Sequence, residues 1–169
     1  ATCLAKNGAK VVGIARREDK LKHWSETCEG ETSYYLADVS KRKNIKNIVL
    51  DIIDKEGEPD ILVNAAGINT REHADDVTLE GWDKTLDLNL STPFFMAQSV
   101  IEGMKKKNWG RIINYASLAS RRALPSSISY GASKGGIEQL TRAMAEAWSK
   151  YGINTNAIAP GFFPTELTV

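Results

Sequence analysis

The chain has 169 residues, enough for one domain with a sizeable core. Its 22 basic and 21 acidic residues leave a net charge of +1. They form no basic stripe of the kind that binds nucleic acid or a membrane surface. No apolar run approaches the roughly 18 residues of a membrane span. The two histidines and two cysteines lack metal-ligand or redox spacing, so we predict no metal site and two reduced thiols in a cytoplasmic protein.

Short β-branched runs alternate with longer amphipathic stretches along the chain, which predicts alternating strands and helices. The helical pattern of segment 41–56 rests on apolar residues at i, i+3, i+4, i+7 and i+8: Ile45, Ile48, Val49, Ile52 and Ile53. Pro93 predicts an interruption of the helical stretch 81–107. The other predicted helices are 1–6, 18–28 and 129–150, and the predicted strands are 10–15, 33–37, 60–63, 111–116 and 154–159. This order is typical of an α/β fold, a doubly wound parallel sheet with helices on both faces.

Polar residues and glycine follow several of the predicted strands. Sheets of this kind bind ligands beyond the carboxyl ends of their strands. The residues at those ends are Asp38, Asn64, Ser117 and Pro160-Gly161. The strand 60–63 reads DILV and is almost continuously apolar, so we predict that it is buried on both faces.

Tyr130 and Lys134 stand four residues apart in the helix predicted over 129–150, which places the phenol and the ammonium on one face. A phenol ordinarily has a pKa of about 10 and exchanges protons poorly at neutral pH. A unit charge about 4 Å away is worth roughly 4 kcal/mol at an effective dielectric near 20, enough to make a phenol a usable acid or base. The same spacing also occurs by chance, as an exposed tyrosine beside a solvated lysine.

Five motifs, in order along the whole chain, resemble those of the short-chain dehydrogenase/reductase family. Asn64-Ala65-Ala66-Gly67 resembles the family motif N-N-A-G, with alanine at the second position. Pro160-Gly161 with Thr165 resembles the motif P-G-x-x-x-T. The residues that stand where the catalytic tetrad of the family would fall are Asn89, Ser117, Tyr130 and Lys134.

The segments GINTREH, SYGASKGGIEQLTRAMAEAW and NAIAPGFFPTELT look most like the sugar-acid branch of that family. This branch includes gluconate 5-dehydrogenases and 2-dehydro-3-deoxygluconate dehydrogenases. The resemblance implies hydride transfer between NADP or NAD and a secondary alcohol or ketone of a sugar acid. A 3-oxoacyl reductase of fatty-acid type is an alternative, because those enzymes share many of these sequence motifs. A non-catalytic sensor that binds a nucleotide is another.

The resemblance assigns a role to each residue of the tetrad. Tyr130 would exchange a proton with the substrate oxygen, and Lys134 would assist it electrostatically and bind the nicotinamide ribose. Ser117 would hydrogen-bond the substrate oxygen. Asn89 would hold a water that links Lys134 to solvent. The structural alternatives are a turn residue for Ser117 and a helix cap or kink for Asn89.

Cofactor contacts follow from the same resemblance. Asp38 and Val39 would bracket the adenine, although an aspartate could instead cap a helix that begins near Ser40. The strand 10–15 ends at Ala15, where enzymes that prefer NAD carry an acidic residue, and Arg16 and Arg17 follow it. A guanidinium suits a phosphate and so favours NADP, and the alternative is a solvated basic turn. The other expected contacts are Asn64, Ala65, Gly67, Tyr130, Lys134, Pro160, Gly161 and Thr165.

Arginines near the expected site could bind the carboxylate of a sugar acid with two hydrogen bonds. Arg71 lies just beyond the third strand, and Arg121 and Arg122 lie in the loop before Tyr130. The alternative for each is an ordinary solvated arginine. Small residues around Ala143–Trp148 suit close helix packing, and the resemblance implies a homodimer or homotetramer.

The resemblance also implies segments outside these residues. The family opens with a strand and a G-x-x-x-G-x-G loop that holds the pyrophosphate, and it continues beyond Thr165 with a substrate lid and a final strand. We therefore expect residues 1–169 to be an interior fragment of a single Rossmann-type dinucleotide-binding domain of roughly 250 residues. Without the first strand, we expect two half-sheets with unpaired edges. The sequence begins at Ala1, not methionine, and so carries no information on a targeting segment.

Overall fold

The computed structural model describes residues 1–161, which form two compact units, residues 1–41 and the residues from 42 onward. Within the described residues, the helices are α1 (Thr2–Lys6), α2 (Glu18–Thr27), α3 (Arg42–Glu56), α4 (Leu79–Leu86), α5 (Thr92–Lys107) and α6 (Ile128–Trp148). The strands there are β1 (Val11–Ala15), β2 (Thr32–Leu36), β3 (Ile61–Asn64), β4 (Gly110–Tyr115) and β5 (Ile153–Ile158). Their outer limits agree with the predicted ones to within two residues. None of the helices in residues 1–161 has the length and apolar character needed to cross a membrane.

In the first unit, β1 and β2 pair in parallel, with Ala15 opposite Leu36. Trp24 of α2 packs onto this sheet at Gly13, where an added methyl group would lie 2.7 Å from the indole ring. The indole nitrogen also donates to Thr2 Oγ1 of α1 at 3.2 Å. The glycine in the middle of β1 is therefore explained by the close approach of an aromatic ring.

In the second unit, β4 is the central strand of a parallel sheet in the order β3-β4-β5. Helices α3 and α5 pack against each other, and α6 packs against β5 and β4. The predicted apolar face of α3 is confirmed, because Ile45, Val49 and Ile52 are buried. Parallel pairing brings the carboxyl ends of β3, β4 and β5 to one edge of this sheet.

The prediction that the third strand is buried on both faces is wrong. Ile61 and Val63 of β3 are 39% and 38% exposed. In the described residues β3 pairs only with β4. A strand that is paired and covered on one side leaves part of its apolar side chains in contact with water.

The predicted interruption of the helical stretch 81–107 is confirmed, and it takes the form of a π-helical turn. This turn, Asp87–Ser91, separates α4 from α5. Pro93 lies in the first turn of α5, directly after the π-helical turn, and its missing N–H means that it cannot take part in the regular i→i−4 bonding at this junction. Single π-helical turns are frequent at functional sites, and this one carries Asn89.

Candidate active site

Lys134 is a buried lysine on α6, with only 6% of its surface exposed. Its ammonium donates to the main-chain oxygen of Tyr115, the last residue of β4, at 2.5 Å. Burial lowers the pKa of Lys134 to about 8, because an ammonium loses its hydration away from water. The ammonium nitrogen lies 5.7 Å from the centre of the Tyr130 ring, so the two side chains share one face of α6.

Asn89 connects the loop after β3 to helix α6, and only 1% of its surface is exposed. Its Nδ2 donates to the main-chain oxygen of Ile68 at 2.8 Å and to Ser133 Oγ at 3.1 Å. Its Oδ1 accepts from the nitrogen of Ile68 at 2.9 Å. Ser133 in turn donates to the main-chain oxygen of Tyr130 at 2.7 Å. A water of the predicted kind would therefore have to meet the remaining lone pair of Oδ1 or a main-chain atom.

Ser117 begins the turn that follows β4, in an extended conformation with φ −163° and ψ 163°. Its Oγ accepts from the nitrogen of Ala119 at 3.1 Å and so caps the short 3₁₀ helix Leu118–Ser120. Ser117 is thus a turn residue, which was the structural alternative to a catalytic role. Because this bond uses a lone pair of the hydroxyl oxygen, the side chain keeps its own proton for donation to a substrate.

A chain of polar side chains crosses the interior beside these residues. Asn64 Nδ2 donates to the main-chain oxygen of Pro93 at 3.3 Å and to Asn114 Oδ1 at 2.9 Å. Asn114 is fully buried, and its Nδ2 donates to Thr141 Oγ1 at 2.9 Å. Thr141 Oγ1 in turn donates to the main-chain oxygen of Ile137 at 2.7 Å. The chain links β3, β4, α5 and α6, and so fixes the elements that carry the candidate residues.

Arg71 lies in the loop between β3 and α4 with φ 55°, a left-handed conformation that is uncommon for a residue other than glycine. Asn69 Oδ1 accepts from the nitrogen of Arg71 at 3.1 Å, and Asn69 Nδ2 donates to Ser127 Oγ at 3.0 Å. On the other side, Glu72 accepts from the hydroxyl of Thr78 at 2.6 Å, and this bond lowers the pKa of Glu72. The backbone nitrogen of Arg71 is therefore bonded to Asn69, and the side chain of the next residue, Glu72, is bonded to Thr78.

The two other arginines lie in the loop before α6, and both are exposed. Arg121 Nε donates to the two carboxylate oxygens of Glu138 at 3.3 Å each. Glu138 also pairs with Arg142, one turn further along α6, at 3.4 Å. Binding of a substrate carboxylate by Arg121 would therefore compete with an ion pair, whereas Arg122 is only placed at the next position of the loop.

In the first unit, Asp38 follows β2 and forms a turn with Ser40. Asp38 Oδ1 accepts from the hydroxyl of Ser40 at 2.7 Å and from its nitrogen at 3.0 Å. The hydroxyl bond is the main reason that the pKa of Asp38 is lowered, and the charge of Arg16 contributes. Because α3 begins at Arg42, Asp38 caps this turn and not that helix. The half-buried Val39 lies between the two turn residues.

The end of β5 lies beside the turn that contains Ser117. The nitrogen of Leu118 donates to the main-chain oxygen of Pro160 at 3.3 Å, so the chain segments after β4 and β5 are joined. Gly161 is the last described residue. Thr165 lies outside the described residues, and its expected cofactor contact stays a prediction.

The sequence profile of the short chain dehydrogenase family matches residues 1–169. The chain belongs to this family. It is 38% identical over 167 residues to an NAD-dependent glycerol dehydrogenase of Listeria innocua, covering 99% of this chain and 66% of that one. It is 38% identical over 170 residues to a 2-dehydro-3-deoxy-D-gluconate 5-dehydrogenase of Dickeya dadantii, covering 99% and 67%.

Among solved structures, the fold is similar to a gluconate 5-dehydrogenase from Burkholderia cenocepacia, determined in complex with NADP and tartrate. The TM-score is 0.86 at 34% identity, over 97% of this chain and 66% of that one. The chain thus spans about two thirds of the length of these relatives. The resemblance read from the sequence is confirmed at the level of the family and its Rossmann-type fold.

The residues beside Lys134 fit the cofactor of a short-chain dehydrogenase. A methyl group added at Gly67 would lie 3.8 Å from the ammonium nitrogen and 3.4 Å from Asn89 Oδ1. Both are ordinary van der Waals distances, so the Cα of Gly67 lies close to the two side chains. Ala65, which follows β3, is exposed. The ammonium of a lysine such as Lys134 can donate to the hydroxyl groups of a ribose.

The four residues expected from the sequence lie in the second unit, where Asn89 reaches Tyr130 through Ser133 and the Tyr130 ring lies near Lys134. Ser117 follows the strand whose last residue accepts from Lys134. Sequence reasoning missed Asn114 and Ser133, which hold these residues in place. Asn114 had a readable signal, since it is a polar residue within the apolar strand RIINYA. Ser133 had none, because the partner of a hydroxyl on a helix depends on tertiary contacts.

Proposed function

We propose that this chain provides the proton-transfer centre of an oxidoreductase that interconverts a secondary alcohol and a ketone with NADP or NAD. One observation carries the proposal: a buried ammonium and a phenol share one face of α6, and the ammonium bonds to the last residue of β4, two residues before Ser117. A bound nicotinamide would supply or accept the hydride. The side chains of this chain would handle the proton.

Tyr130 acts as the general acid during reduction and as the general base during oxidation, at its phenol oxygen. The ammonium of Lys134 stabilises negative charge on that oxygen through the field of a cation in a poorly hydrated site. Ser117 donates its hydroxyl proton to the substrate oxygen and holds it in line with the phenol. Asn89 contributes by fixing the loop after β3 against α6.

For the substrate we propose a sugar acid such as gluconate or its keto form. The support comes from the names of two relatives and from tartrate, a hydroxy acid, in the solved gluconate 5-dehydrogenase. Arg71 is the residue that we assign to the carboxylate, because its backbone nitrogen is bonded to the side chain of Asn69. The guanidinium of an arginine can bind a carboxylate with two hydrogen bonds.

NADP is the cofactor that Arg16 favours. The guanidinium at the end of β1 would meet the 2′-phosphate, and Asp38 and Val39 would contact the adenine. The remaining contacts would come from Asn64, Ala65, Gly67, Pro160, Gly161 and Thr165. We further propose that the protein works as a homodimer or homotetramer, and that residues 1–169 form the interior part of one dinucleotide-binding domain.

An absorbance assay at 340 nm tests the proposed function. The protein, purified at its natural length, is mixed with NADP or NAD and a panel of sugar acids, neutral polyols and, in the reverse direction, 3-oxoacyl esters. We expect turnover with a sugar acid and a preference for NADP. Cofactor affinity is measured in parallel by fluorescence titration.

Two outcomes contradict the proposal in different ways. Cofactor binding without turnover on any member of the panel favours the non-catalytic sensor. Turnover restricted to 3-oxoacyl esters keeps the proton-transfer centre but replaces the sugar acid with the substrate of a fatty-acid-type reductase.

A further inference from the structure

The hydroxyl of Ser120 lies between the main chains of two residues of the proposed proton-transfer centre. The nitrogen of Ser117 donates to Ser120 Oγ at 3.2 Å. The same oxygen donates its proton to the main-chain oxygen of Lys134 at 2.9 Å. One side chain thus links the turn after β4 to helix α6. This use of both the acceptor and the donor of a half-buried serine leaves it little freedom to rotate.

The helix lies close to this turn along two of its glycines. A methyl group added at Gly131 would lie 3.5 Å from the main-chain oxygen of Ala119. One added at Gly135 would lie 3.7 Å from that of Ser120. These distances show that the backbones of the turn and the helix lie close together, and the hydroxyl of Ser120 makes a directional hydrogen bond within this contact.

The position of this contact determines where Ser117 stands relative to Tyr130. Ser117 belongs to the turn, and Tyr130 belongs to α6, one helical turn before Lys134. Any sliding of the turn along the helix changes the separation between the serine hydroxyl and the phenol. Both groups must reach one substrate oxygen, and misplacement by about 1 Å can cost roughly 100-fold in rate.

We propose that Ser120 is a positioning residue, which sets the distance between Ser117 and Tyr130 by bonding to Lys134. The proposal rests on the proposed function, because it concerns the same proton-transfer centre. The two bonds of Ser120 are both to main-chain atoms, those of Ser117 and Lys134. The effect of Ser120 therefore falls on kcat, while cofactor affinity and the KM for cofactor stay unchanged.

Three variants of the full-length protein test this role. Ser120→Ala removes both bonds, and Ser120→Thr keeps a hydroxyl on the same carbon. Ser99→Ala is the matched control, since Ser99 Oγ also donates to a helical carbonyl, that of Phe95 at 2.7 Å, but within α5. Turnover is expressed per cofactor-binding site, so that loss of folded protein does not count as loss of kcat, and the melting temperature is measured alongside.

We expect Ser120→Ala to lower kcat roughly ten-fold with unchanged cofactor affinity, and Ser120→Thr to restore most of the rate. Ser99→Ala should turn over like the unsubstituted protein. The proposal is overturned if the kcat of Ser120→Ala stays within roughly two-fold of the unsubstituted value. It is also overturned if Ser99→Ala loses as much kcat as Ser120→Ala, or if Ser120→Ala loses cofactor affinity to the same extent as kcat. Absence of turnover in the unsubstituted protein would overturn the proposed function and this role together, so the two failures are distinguishable.

Discussion

The ammonium of Lys134 donates to the carbonyl oxygen of Tyr115 at 2.5 Å and thereby joins α6 to the carboxyl end of β4. The lysine is buried, and its charge is costly to hold there, which is why its pKa is lowered from 10.5 to about 8. Burial of an ammonium costs free energy even when a carbonyl oxygen accepts one of its protons. The proposed catalytic role explains why the protein tolerates this cost.

Stability should rise with pH because of this lysine. Its folded pKa lies below its unfolded value, so between pH 8 and 10.5 the unfolded chain binds more protons than the folded one. The contribution to the free energy of unfolding is therefore lowest below pH 8. It increases by up to about 1.4 kcal/mol per pH unit, to about 3 kcal/mol in total across that window.

Lys134→Met removes this titration, and urea unfolding of both proteins at several pH values between 7 and 10.5 measures the difference. We expect the variant to be the more stable protein at pH 7, and its advantage to shrink toward pH 10.5. Lys43→Met, at an exposed position of α3, is the control and should follow the unsubstituted protein. Parallel curves for Lys134→Met and the unsubstituted protein would refute the assignment.

The hydrogen bonds of Asn114 predict that a threonine-to-valine substitution changes the free energy of unfolding differently at two buried positions, Thr141 and Thr155. Thr141→Val leaves the Nδ2 group of Asn114 without its acceptor, which should lower the free energy of unfolding by about 1–3 kcal/mol. Thr155 Oγ1 is also buried but has no hydrogen-bond partner among the described residues. Thr155→Val should therefore be neutral or stabilising. Denaturant titration of the two variants measures both changes. Equal losses in the free energy of unfolding would mean that the hydrogen bond between Asn114 and Thr141 does not contribute to stability.

Cofactor preference should depend on Arg16. Removing a charge-assisted hydrogen bond to a phosphate costs about 1.5–3 kcal/mol, or roughly 10- to 100-fold in affinity. We expect Arg16→Gln to weaken NADP by that factor and to leave NAD nearly unchanged. Arg17→Gln, at the residue that caps α2, is the matched control. Fluorescence titration with both cofactors measures the ratio, and an equal loss of NADP and NAD affinity would contradict the role of Arg16.

Periodicity predicted the elements of this fold well, because it reports which side of an element meets a core. The apolar residues of α3 at helical spacing are the buried ones. The same reasoning failed for β3, since Ile61 and Val63 are apolar whether or not a neighbour covers them. The exposure of a strand depends on which strands pair with it, and this information does not reside in the strand.

The residues of the candidate site could be predicted where a sequence motif identifies them. They could not be predicted where their arrangement depends on tertiary contacts. Tyr130 and Lys134 have the spacing of one helical turn, so their proximity follows from the sequence. The π-helical turn around Asn89 does not, because it depends on where the Asn89 carboxamide meets Ile68 and Ser133. The bonds of Ser120 likewise join residues whose approach only the folded chain creates.

The most direct test of the proton-transfer centre is Tyr130→Phe, which removes one oxygen and leaves the ring beside Lys134. Turnover of a sugar acid is followed at 340 nm, and cofactor affinity is measured by fluorescence titration of the same preparation. We predict that the variant binds cofactor almost as tightly as the unsubstituted protein and loses roughly 100- to 10,000-fold in kcat. A phenylalanine variant that retains most of its turnover would contradict Tyr130 as the acid and base of this protein.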